Sequence, residues 1–196
     1  MTELVFMLEE PSARVMLEGL LPRLLPDDIS CRYIVFEGKQ DLEKNLVRRM
    51  RGYRLPDSLF VVMRDQDSRD CFAIKQRLLQ LCGQAGKPQV LVRIACRELE
   101  SWYLADLLAV EIGLRLNNIA KYQYKKKFRT PDYLGSPSAE LRKLTNGFYQ
   151  KVSGSRSIGP FLNMNNRRSN SFRVFIEGIR TLIEENPLKR SENAVP

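Results

Sequence analysis

The 196-residue chain carries 32 Lys and Arg residues against 23 Asp and Glu residues, a formal net charge of +9, and contains no histidine. The length suits one substantial core, either alone or with an appended subdomain, and we expect the appended subdomain. No apolar run approaches the roughly 20 residues that span a bilayer. The missing histidine excludes Ser-His-Asp and Cys-His catalysis and every histidine general base, so carboxylates must carry any proton or metal chemistry.

The first half of the chain alternates short apolar runs with helical patterns. The apolar runs, which predict four strands, lie at 4–8, 33–36, 59–63 and 90–94. The helical patterns that follow them lie over 15–25, at Leu42, Leu46 and Met50, at Ile74, Leu78, Leu81 and Cys82, and over 98–108. Because strands and helices alternate and the strands are almost continuously apolar, we expect an α/β fold with a mainly parallel sheet and helices on both faces.

The chain beyond residue 110 has a different character. Helical fragments alternate with basic loops rich in Gly, Ser and Asn, and a final helix is expected over 172–185. Residues 1–100 hold 16 basic and 15 acidic side chains, whereas the remaining residues hold 16 basic and 8 acidic ones. We therefore predict an α/β domain over 1–110, a helical basic subdomain over 111–190 packed on it, and a flexible tail over 191–196.

Acidic residues stand where the predicted strands end. They are Glu9 and Glu10, Glu37, Asp65 and Asp67, and Glu98 and Glu100. An open α/β sheet binds its ligand outside the carboxyl ends of its strands, so these carboxylates can converge although they are far apart in sequence. Mg²⁺ prefers hard oxygen ligands, so the pattern predicts a site for Mg²⁺ or Mn²⁺. The alternative for the Asp65 and Asp67 pair is a polar turn in which Asp67 caps the next helix.

Two basic segments could hold a nucleic acid beside such a site. Residues 121–129 interleave the cations of Lys125, Lys126 and Lys127 with aromatic rings, a combination that can contact phosphates and stack on unpaired bases. Residues 151–156 are expected to form a loop whose candidate phosphate ligands are Lys151, Ser153, Ser155 and Arg156. The first segment could equally be a solvated surface, and the second a turn packed against the sheet.

Three further cations are candidate phosphate ligands. They are Lys39, Arg64 and Arg97, although Arg64 and Arg97 flank the acids and could simply pair with them. The four cysteines, Cys31, Cys71, Cys82 and Cys96, show no metal-binding spacing, and we expect reduced, mostly buried thiols. The N-terminus lacks the features of a secretory signal, so the expected compartment is the cytoplasm.

Five stretches of the chain resemble a known family. They are 8–12, 36–39, 64–67, 97–106 and 149–156, and together they are similar to the bacterial domain-of-unknown-function 4276 family over most of the chain. A Glu at the end of the first strand and an Asp-x-Asp after the third are also the two acidic motifs of Toprim domains. Those domains occur in topoisomerases, primases and several nucleases.

The resemblance implies a Toprim-like fold and Mg²⁺-dependent phosphodiester chemistry, in an effector of an antiviral or genome-maintenance module that also contains an ATPase. In the Toprim scheme the first-strand glutamate is a general acid or base and the aspartates bind metal. Glu9 or Glu10 would then take the first role, and Asp65 and Asp67 the second, with Glu98 and Glu100 as additional ligands. Glu10 stands where such motifs commonly carry Gly, so the glutamate that faces the site is left open.

Metal-assisted hydrolysis of a phosphodiester needs no protein nucleophile. No tyrosine lies in a motif that a topoisomerase would require, so we expect a nuclease ahead of a topoisomerase or primase. The alternatives are a non-catalytic adaptor or sensor that binds nucleic acid and an ATPase partner, and a phosphotransferase acting on small nucleotides. The choice between DNA and RNA, the mode of cleavage and the oligomeric state stay open.

Overall fold

A computed structural model describes residues 2–55, 58–87 and 89–185, so the predicted tail over 191–196 lies outside the described residues. Four strands form one sheet, namely β1 (Thr2–Leu8), β2 (Ile29–Val35), β3 (Leu59–Asp65) and β4 (Val90–Ala95). All neighbouring strands are parallel and their order is β2-β1-β3-β4. The predicted α/β class and parallel sheet are confirmed.

Eight α-helices accompany the sheet in the described part of the chain. They are α1 (Pro11–Leu20), α2 (Lys39–Arg51), α3 (Cys71–Gln84), α4 (Glu100–Leu104), α5 (Leu107–Gly113), α6 (Pro137–Leu144), α7 (Lys151–Ile158) and α8 (Asn170–Glu184). Short 3₁₀ turns occur at Leu21–Arg23, Ala120–Tyr124, Lys126–Phe128, Pro131–Tyr133 and Gly159–Phe161. None of the described helices is both long enough and apolar enough to cross a membrane.

Two of the sequence predictions about these elements are wrong. The helix expected over 98–108 is two helices, because Asp106 begins a new one by accepting a hydrogen bond from the Ala109 N–H at 3.3 Å. The loop expected over 151–156 is the body of α7. Its small residues allow close packing, since a Cβ on Gly154 would come within 2.5 Å of the Tyr149 ring.

Each strand sends alternate side chains to the two faces of the sheet. Val5, Met7 and Val62 pack with α2 and α3 on one face. Leu4 and Phe6 face a second core that includes residues of α1, α4, α5 and α8. Residues beyond 110 thus share a core with the first strand, and helices cover both faces as predicted.

The sheet reverses its winding direction between β1 and β3. The chain passes from β1 to β2 on one side, and then returns across β1 to place β3 on the other side, followed by β4. In open α/β sheets this reversal leaves a crevice at the carboxyl ends of the two central strands, where ligands bind. The residues that follow Leu8 and Met63 therefore lie where a ligand crevice is expected.

The four cysteines are all free, but the prediction that most are buried is wrong. Only Cys82 is fully buried, whereas Cys31, Cys71 and Cys96 are partly exposed. The Sγ atoms of Cys71 and Cys96 lie 3.6 Å apart, at the start of α3 and just beyond the end of β4.

Candidate metal centre

Glu9 and Asp65 meet at the reversal point of the sheet. The Asp65 N–H donates to Glu9 Oε2 at 3.0 Å, and the Glu9 N–H donates to the Met63 carbonyl at 3.3 Å. Both carboxylates are buried, with 7% and 8% of each residue exposed. Of the two candidate glutamates after β1, Glu9 is therefore the one inserted between the central strands.

Glu100 adds a third buried carboxylate from the first residue of α4. Its Oε1 accepts a hydrogen bond from the Tyr149 hydroxyl at 2.7 Å, and its Oε2 is buried without a partner in the described structure. Asp65 is tied to the same helix, because its Oδ1 accepts from the Leu99 N–H at 3.0 Å. A buried polar atom without a partner is uncommon in folded proteins, and here it marks a place that a cation or water would fill.

The negative charges of Glu9, Asp65 and Glu100 repel one another. Burial raises the pKa of Asp65 well above its ordinary value, and the charges of Glu100, Glu10 and Glu9 raise it further. Burial likewise raises the pKa of Glu9 and of Glu100, although the Asp65 N–H and Arg64 partly offset the effect at Glu9, and Tyr149 does so at Glu100. A divalent cation would relieve this repulsion, so the donor set fits a hard metal ion.

Glu10 turns away from the strands toward α7. Its Oε2 accepts from the Ser12 hydroxyl at 3.2 Å and pairs with the ammonium of Lys151. Burial would lower the pKa of Lys151, but Glu10, Glu100 and Asp65 raise it overall. Lys151 thus stays charged and places a cation beside the acidic cluster.

Asp67 lies at the rim of the site. It adopts a left-handed backbone conformation with φ of 57°, its N–H donates to the Arg97 carbonyl at 2.9 Å, and its Oδ2 accepts from Lys39 Nζ at 2.6 Å. The alternative prediction, in which Asp67 caps the next helix, is wrong. Asp70 caps α3 instead, by accepting from the N–H groups of Phe72 and Ala73.

A small cavity opens between the two central strand ends. Its volume is about 10 Å³, close to that of one water-sized particle, and its walls include Glu9, Glu10, Asp65 and Leu99. Within residues 2–55, 58–87 and 89–185, no three acidic or cysteine side chains already surround a common point. Binding of a metal there would therefore involve rotation of side chains, chiefly that of Asp67, which now pairs with Lys39.

Two predicted site residues have other contacts. Glu98 Oε2 accepts from the Ser138 N–H at 2.7 Å, which occupies its carboxylate at the first turn of α6 rather than in the cluster. Arg64 is buried and donates to Glu43 Oε1 at 2.8 Å, while its Nε lies 3.7 Å from Glu9 Oε2. Its guanidinium is not exposed to bind a phosphate, because those two glutamates hold it inside the fold.

The remaining basic candidates divide into exposed and occupied groups. On α7, Ser153 and Arg156 are exposed, whereas Ser155 is buried and its hydroxyl donates to the Lys151 carbonyl at 2.6 Å.

The segment 121–129 is a pair of 3₁₀ turns whose lysines lie on the surface. Lys125 Nζ lies 4.3 Å from the centre of the Tyr122 ring, Lys127 pairs with Glu140, and Lys126 is exposed. Arg97 is half-buried at the end of its loop.

The fold and the site together define an α/β protein with an acidic cluster at the winding reversal of a parallel sheet. The chain belongs to the family described as Domain of unknown function (DUF4276), whose family model matches residues 8–180. That match confirms the family resemblance seen in the sequence. Comparisons with curated proteins and with solved structures gave no significant match.

Proposed function

We propose that this chain is a Toprim-like nuclease that hydrolyses nucleic-acid phosphodiesters with Mg²⁺ or Mn²⁺. The observation that carries the proposal is the contact between Glu9 and Asp65, beside the unpartnered Oε2 of Glu100, at the reversal point of the sheet. Buried acids that raise one another's pKa are typical of functional sites, because a fold without a ligand for them gains nothing from the repulsion.

In this proposal Asp65, Asp67 and Glu100 hold the metal, and Glu98 is left out because it is bound to α6. A divalent cation at this position neutralises charge on phosphoryl oxygens and lowers the pKa of a bound water. Burial raises the pKa of Glu9, which suits its carboxyl group to the role of general acid or base. One of its oxygens is held by the Asp65 N–H, which fixes the orientation of the other.

Lys39 and Lys151 supply the positive charge that receives the substrate. Each pairs with an acid of the site, Lys39 with Asp67 and Lys151 with Glu10. When Asp67 turns to a metal and a substrate phosphate replaces Glu10 as the partner of Lys151, the two ammonium groups bind phosphate oxygens at the cluster. In the absence of substrate, the same lysines neutralise the charges of Asp67 and Glu10.

A non-catalytic adaptor that binds nucleic acid for an ATPase partner is the second candidate. The two lysine–carboxylate pairs favour it, since they neutralise the rim acids without any metal. In both candidates the chain would act in the cytoplasm, where its four free thiols stay reduced, and the nuclease would be the effector of an antiviral or genome-maintenance module.

The two candidates differ in metal-dependent cleavage. Purified protein, alone and with a candidate ATPase partner, is incubated with labelled DNA and RNA in Mg²⁺, Mn²⁺ or EDTA. Asp65→Asn is the test variant, and Glu37→Gln is the matched control, because Glu37 also follows a strand but is exposed and lies outside the cluster. We expect cleavage that Asp65→Asn loses and Glu37→Gln keeps. Metal-independent binding without cleavage in every condition would leave only the adaptor.

A further inference from the structure

A broad groove lies beside the C-terminal part of α7. Its volume is about 580 Å³, and its walls come from the end of α5, from Phe148 and from the 3₁₀ turn Gly159–Phe161 as well as from α7 itself. The acidic cluster and this groove share α7, which begins at Lys151 in the cluster and reaches Ser157 in the groove.

Large apolar side chains are exposed in the groove. Phe148 is 68% exposed, and Phe161 and Ile112 are each 47% exposed. Two phenyl rings on one concave surface form a platform on which flat aromatic groups can stack. Both rings are free to contact a ligand, because neither is covered by the core.

The charge of the groove is positive. Arg115 and Arg156 line it, and none of the described lining residues is acidic. Within the described part of the chain neither guanidinium has a carboxylate at ion-pair distance. The hydroxyls of Ser153 and Ser157 lie on the same surface. Exposed rings beside unpaired guanidinium groups match a ligand that is both aromatic and anionic, which is the chemistry of an unpaired nucleotide.

The floor of the groove is fixed by backbone contacts. A Cβ on Gly113 would lie 2.5 Å from the Ser157 carbonyl oxygen and 2.8 Å from Ile158 Cα, so α5 and α7 approach one another at backbone distance. Arg115 follows α5 with a left-handed φ of 53°, which turns the chain sharply at the edge of the groove. Arg115 and Arg156 therefore lie on segments whose backbones pack directly against each other.

The spacing along α7 sets the path from the cluster to the groove. Arg156 lies five residues after Lys151, a rise of about 8 Å along the helix axis and a rotation of about 140° around it, so the two side chains leave different faces of α7. A strand held at Lys151 must therefore pass partly around α7 to reach the groove, over roughly 15 Å, or about four to five nucleotides at about 3.4 Å each. The base at that point can stack on Phe148 or Phe161 only if it is unpaired.

We propose that this groove binds the unpaired bases of a single strand a few nucleotides away from the phosphodiester held at the cluster. The substrate class is then single-stranded nucleic acid, or a single-stranded extension of a duplex. The position of the strand relative to the acidic cluster rests on the proposed function. The groove itself binds the strand through its own rings and guanidinium groups, independently of any metal.

The test measures binding in EDTA, where cleavage cannot occur. Fluorescence anisotropy follows labelled single-stranded DNA and RNA 12-mers and a blunt 12-base-pair duplex, with wild type and with Phe148→Ala/Phe161→Ala. The matched control is Phe72→Ala/Arg77→Gln, because Phe72 is 69% exposed on α3, away from the groove. A third variant, Phe148→Tyr/Phe161→Tyr, keeps both rings.

We expect the double alanine variant to weaken single-strand binding about tenfold or more, with less than about a twofold change for the duplex. The tyrosine variant and the α3 control should bind both as wild type does. Arg115→Gln/Arg156→Gln should weaken single-strand binding and reduce its salt dependence. Unchanged single-strand affinity in the alanine variant, or an equal loss for the duplex, would overturn the inference.

The outcomes separate this inference from the nuclease proposal. If single-strand binding depends on the rings but no condition gives cleavage, the groove stands and the nuclease falls. If metal-dependent cleavage is found but the alanine variant binds and cleaves single strands as wild type does, the nuclease stands and the groove inference falls. Loss of self-association or of protein capture by the alanine variant, with oligonucleotide binding intact, would mean that the rings serve a protein partner, and would equally overturn it.

Discussion

Asp65 is a single residue whose negative charge opposes folding. Its carboxyl group is buried among Glu9, Glu10 and Glu100, and burial together with those charges raises its pKa well above the ordinary value of 3.8. The folded state thus binds the Asp65 proton more tightly than the unfolded state does. Its stabilising contribution is full below pH 3.8 and is lost as the pH rises through the folded pKa.

Asp65→Asn should therefore stabilise the protein at neutral pH in EDTA. The amide keeps an oxygen to accept from the Leu99 N–H but cannot ionise, so we expect a gain of about 1 kcal/mol in the free energy of unfolding. Urea unfolding at pH 7.5 and at pH 5 measures the effect, and the gain should be smaller at pH 5. In Mg²⁺ the wild type should gain stability and the variant should not. A destabilised variant in EDTA at pH 7.5 would contradict this account of Asp65.

Cys71 and Cys96 are placed to form a disulfide. Their Sγ atoms lie 3.6 Å apart and both residues are partly exposed. Burial and the neighbouring Cys71 raise the pKa of Cys96, so the reaction is best followed at pH 8.5, where more thiolate is present. Diamide takes one hydrogen from each thiol and becomes a hydrazine, while the two sulfur atoms join.

We expect diamide to reduce the number of titratable thiols in the denatured protein from four to two. Cys71→Ser should keep its three thiols under the same treatment, because Cys96 then has no partner. Peptide mapping that places Cys31 or Cys82 in the bridge would show that the Cys71–Cys96 contact is not the reactive one.

At the scale of elements, α7 is held by glycine contacts. A Cβ on Gly159, at the end of α7, would lie 2.5 Å from the Met16 carbonyl oxygen and 3.0 Å from Met16 Cα in α1. Both contacts are with backbone atoms, so neither can be relieved by a side-chain rotation. The position of Lys151 at the other end of α7 depends on this packing against α1.

Gly159→Ala should destabilise the protein by about 1 to 3 kcal/mol, the usual range for overpacking. Gly83→Ala is the control, because Gly83 lies in α3 with nothing within 4 Å of an added Cβ, and alanine is the better helix former there. Thermal unfolding of both variants compares them directly. Similar melting temperatures for the two would contradict the close contact between α7 and α1.

The sequence predicts β1, β3 and β4 to within about two residues because apolar runs in a parallel sheet are short and nearly continuous. It finds only the last three residues of β2, whose first half is largely polar and half-buried. It fails at α7, since Gly and Ser in 151–156 are typical of loops, whereas here Gly154 leaves room within the helix for the Tyr149 ring. It fails again at Asp106, where the apolar pattern continues through 107–108 and hides the N-cap, although Asp is a preferred N-cap residue. The contact of Gly154 with Tyr149 has no local signal, whereas the cap at Asp106 has one that the apolar pattern outweighed.

The candidate site, too, could be predicted from the sequence only in part. Glu9 and Asp65 could be predicted together, because both follow strands that meet at one edge of the sheet. Nothing local indicates that Glu98 binds α6 while Glu100 points inward, or that Tyr149 holds Glu100. Those contacts join segments about 40 to 50 residues apart, and only the folded chain brings them together.

At the scale of the whole molecule, the net charge of +9 favours a polyanionic partner. Affinity for single-stranded nucleic acid should fall with salt, by a slope of about 0.7 in log Kd against log salt for each phosphate contacted. Lys125→Gln/Lys126→Gln should reduce that slope, since both lysines are exposed. Lys44→Gln/Arg48→Gln on α2 is the control and should leave it unchanged. Equal slopes for all three proteins would remove 121–129 from the binding surface.

The acidic cluster as a metal centre is the claim on which the nuclease proposal depends. Titration with Mn²⁺, followed by the loss of its free-ion electron paramagnetic resonance signal, tests that claim without any substrate. We predict that wild type and Glu37→Gln bind one or two Mn²⁺ ions, and that Asp65→Asn loses this binding. Equal Mn²⁺ binding by Asp65→Asn and wild type, or no binding by wild type at millimolar Mn²⁺, would contradict a metal centre at Asp65.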